Sequence, residues 1–275
     1  MKLFSKKTSG RAALPRAVAF VDYEHWYVSL LRNFGLKPDI GEWFALLSDS
    51  VNLTDVFFFA DFSHKSLADE IRRIRLYSNK IIDTRNANGT TAKDYTDFII
   101  LDNMYQRAIS AEDIDVFILF TGDGHFSSVC SFIRNIRGKE MWVYGVRNSF
   151  SRQLQETATR SVILPTAAQL QQRYRNLVLD RLAWCETQPG RYPTVKRTIE
   201  EISVNHRIKP DDVRNTINSL IKDGYLTERS IVMRGSERRA VLFVDWGLLS
   251  SDGIYEKPAD NILRGMNIRR EADKR

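Results

Sequence analysis

Six short apolar runs recur between residues 17 and 164: AVAFV (17–21), DVFFFA (55–60), KIIDT (80–84), DVFILFT (115–121), MWVYGV (141–146) and SVIL (161–164). Val, Ile and Phe dominate them and none is long enough for a helix, so each is expected to be a strand covered on both faces. Between them, SLADEIRRIRLYSN (66–79), KDYTDFIILDNMYQRA (93–108) and GHFSSVCSFIRNIRG (124–138) place apolar residues at helical spacing. Strands alternating with helices predict an α/β domain with a mostly parallel, doubly wound sheet.

The pattern changes near Pro165. Residues 167–186 read as one helix and 194–204 as a second. A third starts at Pro210, a favoured first-turn residue, presents Val213, Ile217, Leu220 and Ile221 on one face, and stops at Gly224. YLTERSIVM, the turn-like RGSERR and AVLFVDW then suggest a β-hairpin with a basic tip. Three helices and a hairpin predict a second, smaller α+β domain of winged helix-turn-helix type. The expected organisation is a basic flexible arm (1–16), an α/β domain (17–165), the winged helix (166–252) and a tail without clear periodicity (253–275).

Ligands of open α/β sheets bind outside the carboxyl ends of the strands, and here those ends are acidic. Asp22 closes the first strand, Asp61 follows the second, and Asp123 follows the fourth within FTGDGHF. Asp94 and Asp97, three apart, share one face of the 93–108 helix. Converging carboxylates repel unless a cation sits among them. Mg²⁺ or Mn²⁺ suits carboxylate oxygen, and such ions can activate water against a phosphodiester with no side-chain nucleophile. Each Asp also suits a turn or helix cap, Asp61 most of all because Phe62 and Ser63 lead directly into a helix. Glycines on both sides of Asp123 let the backbone turn sharply and admit a ligand.

At these positions the chain resembles the NYN domain family, a branch of the PIN-like, metal-dependent ribonucleases related in fold to flap endonucleases. The resemblance spans about residues 16–165 and is carried by AFVDYEHWY, KDYTDFIILD, ILFTGDGHF and MWVYGV. The family typically has Asp-x-x-Asn after strand one, a Lys-x-x-Asp helix start, and Ser-Gly-Asp-x-Asp-Phe after strand four. The resemblance implies metal binding by Asp22, Asp97 and Asp123, gives Thr121 the place of the hydroxyl residue before the glycine, and matches Lys93 to the helix-start lysine, a candidate nucleic-acid contact. His25 stands where the family has Asn, and His125 where it has the second Asp. The helix acid lies four residues after Lys93, so Asp94 and Asp97 both match it. His25, His64 and His125 each follow a strand-end Asp by two or three residues; they are candidates for Mn²⁺ ligands, phosphate contacts or a general acid, or are loop histidines with local hydrogen bonds.

The net charge of +7 divides unevenly: +5 over residues 1–16, −3 over 17–165 and +5 over 166–275. An acidic centre between basic ends suits a metal site that must still attract nucleic acid, because Lys and Arg supply affinity through counterion release. The winged helix nominates Arg214, Asn215, Asn218 and Lys222 on its third helix and Arg234, Arg238 and Arg239 at the hairpin tip. RNA is the expected partner, with DNA as an alternative. No apolar stretch approaches the roughly 20 residues of a membrane helix, and a homodimer stays open because no segment marks an interface. Cys130 and Cys185 form no CxxC or zinc spacing, which favours a reducing, cytoplasmic setting.

These features lead to a metal-dependent endoribonuclease whose C-terminal domain docks or selects RNA. The alternatives are a catalytically weak or inactive RNA- or protein-binding module with a degenerate nuclease domain, and a phosphohydrolase acting on a small phosphoester. A haloacid-dehalogenase type fits poorly, since Asp22-Tyr23-Glu24 stands where Asp-x-Asp is needed.

Overall fold

Strand β1 (Arg16–Asp22) buries every residue after Arg16, as a strand with both faces covered must. It lies in a computed structural model that describes residues 13–85, 95–232 and 238–259. The chain falls into two units, Met1–Leu164 and Pro165–Arg275.

In the first unit β1 is followed by α1 (Tyr23–Phe34), α2 (Ile40–Ser48), β2 (Asn52–Ala60), α3 (Lys65–Ala68), α4 (Ile71–Ile74), β3 (Ile81–Asp83), α5 (Tyr95–Ser110) and β4 (Val116–Phe120). A 3₁₀ turn (Gly124–Phe126), α6 (Ser127–Ser131), a π turn (Phe132–Ile136), β5 (Glu140–Val146), α7 (Arg152–Thr157) and β6 (Arg160–Leu164) complete it. The six strands form one sheet in the order β3-β2-β1-β4-β5-β6, and every neighbouring pair is parallel. The expected α/β architecture is therefore present, and all six apolar runs are strands.

Alternation along the strands separates two apolar layers. On one face Phe20 stacks with Phe57, Phe59 and Phe117, and the layer extends to Ile100 and Met104 of α5 and Val129 of α6. On the other, Trp26 of α1 stacks on Phe120 at 4.0 Å, and Trp43 of α2 meets Phe120 and Tyr144 edge-on. Helices α1 and α2 belong to no helical segment expected from the sequence, where the aromatic string after Asp22 masks their period. Caps mark their starts: Asp22 accepts from the His25 N–H and Asp39 from the Glu42 N–H.

Two expected helices are broken. The 66–79 segment forms only the single turns α3 and α4, joined through Asp69 and Glu70. Glu70 is 1% exposed; its carboxylate accepts from the Tyr23 hydroxyl and Lys37 Nζ, both at 2.9 Å, and from Arg73 Nη1. Drawing this acid inward tightens the chain locally to i→i−3 bonds, from Glu70 N to Leu67 O and from Arg73 N to Glu70 O. The 124–138 segment begins as a 3₁₀ turn and ends as a π turn, with Arg137 N bonded to Phe132 O.

The second unit contains α8 (Ala167–Glu186), α9 (Val195–His206), α10 (Pro210–Lys222), the antiparallel strands β7 (Leu226–Val232) and β8 (Arg238–Val244), and α11 (Trp246–Ser251). A capping box between Thr166 and Gln169 starts α8. Leu179, Leu182, Ile199, Ile202, Val213, Ile217 and Leu242 share its core, against which Ile254 and Tyr255 also pack. Among the described residues, no helix is long and apolar enough to cross a membrane.

Candidate metal centre

Strands β1 and β4 are neighbours, and the chain leaves them toward opposite edges: β1 toward β2 and β3, β4 toward β5 and β6. In a parallel sheet that reversal opens a crevice at the carboxyl ends, where ligands bind. Asp22 ends β1, and Thr121-Gly122-Asp123 follows β4.

Asp22 is buried, with 5% of its surface exposed. Its Oδ1 accepts the His25 N–H at 3.0 Å and its Oδ2 accepts the Thr121 hydroxyl at 3.0 Å. Burial pushes its carboxyl pKa up; His25 and the Thr121 bond oppose that rise, and the neighbouring Glu24 charge reinforces it. A buried carboxylate under that pressure is one that a nearby cation stabilises.

Thr121 is itself fully buried and couples the two strand ends. Its Oγ1 donates to Asp22 and accepts the backbone N–H of Asp123 at 3.4 Å. Asp123 then caps the 3₁₀ turn, with Oδ1 accepting the His125 N–H at 2.9 Å. From α5, Asp97 reaches the same place. The start of α5 is held by the Thr96 hydroxyl, 2.7 Å from that of the buried Thr84 just after β3.

Asp97, Asp123 and His125 each present a ligand atom within 4.8 Å of the other two. Bonds of about 2.1 Å to a small divalent cation place adjacent ligands about 3 Å apart and opposite ones about 4.2 Å apart, so the two carboxylates and the imidazole could close on one ion with a small side-chain adjustment. Asp22 lies outside that trio and is linked to it through Thr121.

The loop after β5 closes against this corner. A Cβ on Gly122 would stand 1.6 Å from the Ser149 carbonyl oxygen and 2.4 Å from His25 Nε2, so only glycine admits the approach. Ser151 N donates to Gly122 O at 2.8 Å, and the Asn33 amide donates to Ser149 Oγ at 2.8 Å.

The family profile described as NYN domain matches residues 16–165, more than half of the chain. The chain belongs to the NYN domain family. Among curated proteins, none matches it. Among solved structures, it is similar to a Vibrio parahaemolyticus protein described as being of unknown function. That likeness has 19% identity and a TM-score of 0.50, covers 56% of this chain and 94% of the other, and bears on the fold alone. A NYN domain implies a PIN-like nuclease fold, and with it a nucleic acid substrate.

Within the NYN domain the remaining candidates are scattered. Asp61 accepts the Ser63 N–H at 2.8 Å in a local turn, and hydrogen bonding from the Ser63 side chain, helped by that backbone bond, holds its carboxyl below the ordinary value. His64 is exposed at the start of α3 without a side-chain capping bond. His25 turns its Nε2 to the Ser149 carbonyl at 3.2 Å. Lys93 and Asp94 lie outside the described residues, as does Arg234 of the second unit. There, Arg214, Asn215, Asn218 and Lys222 are exposed on α10, with Arg238 and Arg239 exposed on β8. Arg214 and Lys196 line a groove of about 610 Å³ with Glu200, Glu228 and Ala240.

Two contributors, Glu24 and Ser149, escape a reading of the sequence. Glu24 Oε2 accepts the Asp61 N–H at 3.2 Å, tying the start of α1 to the end of β2. Gly122 and Ser149 meet across the site. Glu24 could have been found from its place two residues after Asp22, whereas nothing local marks Ser149.

Proposed function

We propose that this NYN domain is a metal-dependent endoribonuclease, with Asp22, Asp97 and Asp123 as its catalytic acids and Mg²⁺ or Mn²⁺ as cofactor. The observation that supports this most strongly is the convergence of Asp97, Asp123 and His125 beside the buried Asp22 at the sheet's switch point. Asp97 and Asp123 would hold the ion, and Asp22 would complete the negative field. When bound, such an ion supplies activated water and stabilises charge developing on the phosphate.

The protein's own residues set the geometry. Thr121 fixes the Asp22 carboxylate and, through the Asp123 N–H, the loop that carries the second acid. The Thr84–Thr96 pair fixes the helix start that carries the third. His25 pins the Ser149 loop over Gly122, which limits how far that loop can move at the crevice.

RNA capture falls to the second unit, whose three helices and hairpin have the order of a winged helix-turn-helix. Arg214, Asn215, Asn218 and Lys222 on α10 would meet the nucleic acid, with Arg238 and Arg239 supporting from β8. Phosphate contacts from these side chains offset the repulsion of the acidic centre.

A second reading, an RNA-binding module with weak catalysis, is favoured by one observation: His25 is committed to Ser149, so the motif after strand one offers Asp22 alone. Incubation with labelled single-stranded RNA, structured RNA and DNA, each with Mn²⁺, Mg²⁺ or chelator, separates the two. Metal-dependent internal cleavage of RNA supports the nuclease, and RNA binding without cleavage supports the module.

A further inference from the structure

His125 brings a nitrogen donor to the two carboxylates of the candidate centre. Its Nδ1 lies 3.3 Å from Asp123 Oδ1. That separation allows a direct contact with Asp123 and is also close to the roughly 3 Å between adjacent ligands on one cation. The side chain is 76% exposed, so its ring is not locked into a protein pocket. Its backbone, in contrast, is fixed: its N–H is bonded to Asp123, and the buried Phe126 anchors the same 3₁₀ turn. The ring is thus delivered to the two carboxylates by a short, capped turn and left with a nitrogen directed at them.

Nitrogen and oxygen donors select different ions. Mg²⁺ prefers oxygen and keeps its waters, whereas affinity for nitrogen donors such as imidazole rises along the first transition row from Mn²⁺ to Cu²⁺. We propose that His125 is a direct metal ligand and that it biases this site toward Mn²⁺ and later transition ions over Mg²⁺. The inference rests on the metal-centre reading above and adds to it the identity of the third donor and its effect on which ion is held.

The test reads binding rather than turnover. Mn²⁺ is titrated into the full chain and followed by electron paramagnetic resonance, with pulsed detection of ¹⁴N coupling to the bound ion. Mg²⁺ competition gives the ratio of affinities. The wild type is expected to bind Mn²⁺ with imidazole ¹⁴N coupling and to resist Mg²⁺. His125→Ala should lose the coupling and weaken Mn²⁺ by at least about tenfold, a floor set by the losses typical of mere outer-shell changes. His125→Asp should still bind Mn²⁺, without nitrogen coupling and with a smaller preference over Mg²⁺. Bound Mn²⁺ that lacks ¹⁴N coupling in the wild type, or an unchanged preference in His125→Asp, overturns the role of His125 and leaves the carboxylate centre standing. Failure of the wild type to bind Mn²⁺ overturns both.

Discussion

The hydroxyl of Thr121 donates a 3.0 Å hydrogen bond to Asp22 Oδ2 and so joins the ends of β4 and β1 across 99 positions of sequence. Because Asp22 is buried, that donor is hard to replace. Thr121→Val keeps the shape and removes the bond, and is expected to cost about 1–3 kcal/mol of stability. It should also lower metal-dependent cleavage by about 10–100-fold. Thr121→Ser should stay near wild type in both, measured by denaturant titration and single-turnover cleavage.

Gly122 makes room for the loop after β5. Gly122→Ala would drive its Cβ into the Ser149 carbonyl, a backbone atom that cannot swing aside, so a loss of about 3 kcal/mol or more is expected. Gly138→Ala is the control. It faces open space and is strained only by its φ of 64°, which costs about 1–2 kcal/mol. Denaturation midpoints in the reverse order would contradict the close approach.

The sequence made the strands legible because burial on both faces leaves uninterrupted Val, Ile and Phe, and it marked Asp22 and Asp123 because strand ends are visible as the point where such runs stop. Other features depend on contacts that spacing does not encode. His25 meets Ser149 at a separation of 124 positions, and Glu24 meets Asp61 at 37. The break in the 66–79 helix has the same origin: Glu70 looks like one more polar position in a helical pattern until Tyr23 and Lys37 arrive from α1 and the loop after it.

Glu70 sets an acid limit to stability. Burial alone would push its carboxyl up, but bonds from Lys37 and Tyr23 and the Arg73 charge outweigh that and hold it below its ordinary value of 4.5. A lowered folded value means that the stabilisation is complete above the unfolded value and is lost as pH falls through the folded one. Glu70→Gln should therefore cost about 1–3 kcal/mol at pH 7. The gap from wild type should close as the pH is taken below 4.5. Urea titrations across that range check it, and a constant gap would contradict it.

The exposed face of α10 is expected to act on affinity alone. Arg214→Ala combined with Lys222→Ala should weaken RNA binding and flatten the dependence of log K on log salt by about 1.4, since each single-strand phosphate left unneutralised lowers the slope by about 0.7. Stability should change by no more than about 0.5 kcal/mol, as for ordinary surface sites. Fluorescence anisotropy at several salt concentrations reads the slope; an unchanged slope would remove α10 from the RNA path.

The central claim is that carboxylates at the β1–β4 crevice would hold a divalent ion on which RNA cleavage depends. Its most direct measurement is metal-dependent cleavage of labelled RNA by the wild type, Asp22→Asn and Asp123→Asn, with folding checked by thermal melts. Asn preserves the shape of each side chain and can still cap the local turn. The expected result is cleavage that chelator abolishes and that each substitution reduces by at least about 100-fold in folded protein. Cleavage that persists in either folded variant, or that survives chelation, would contradict it.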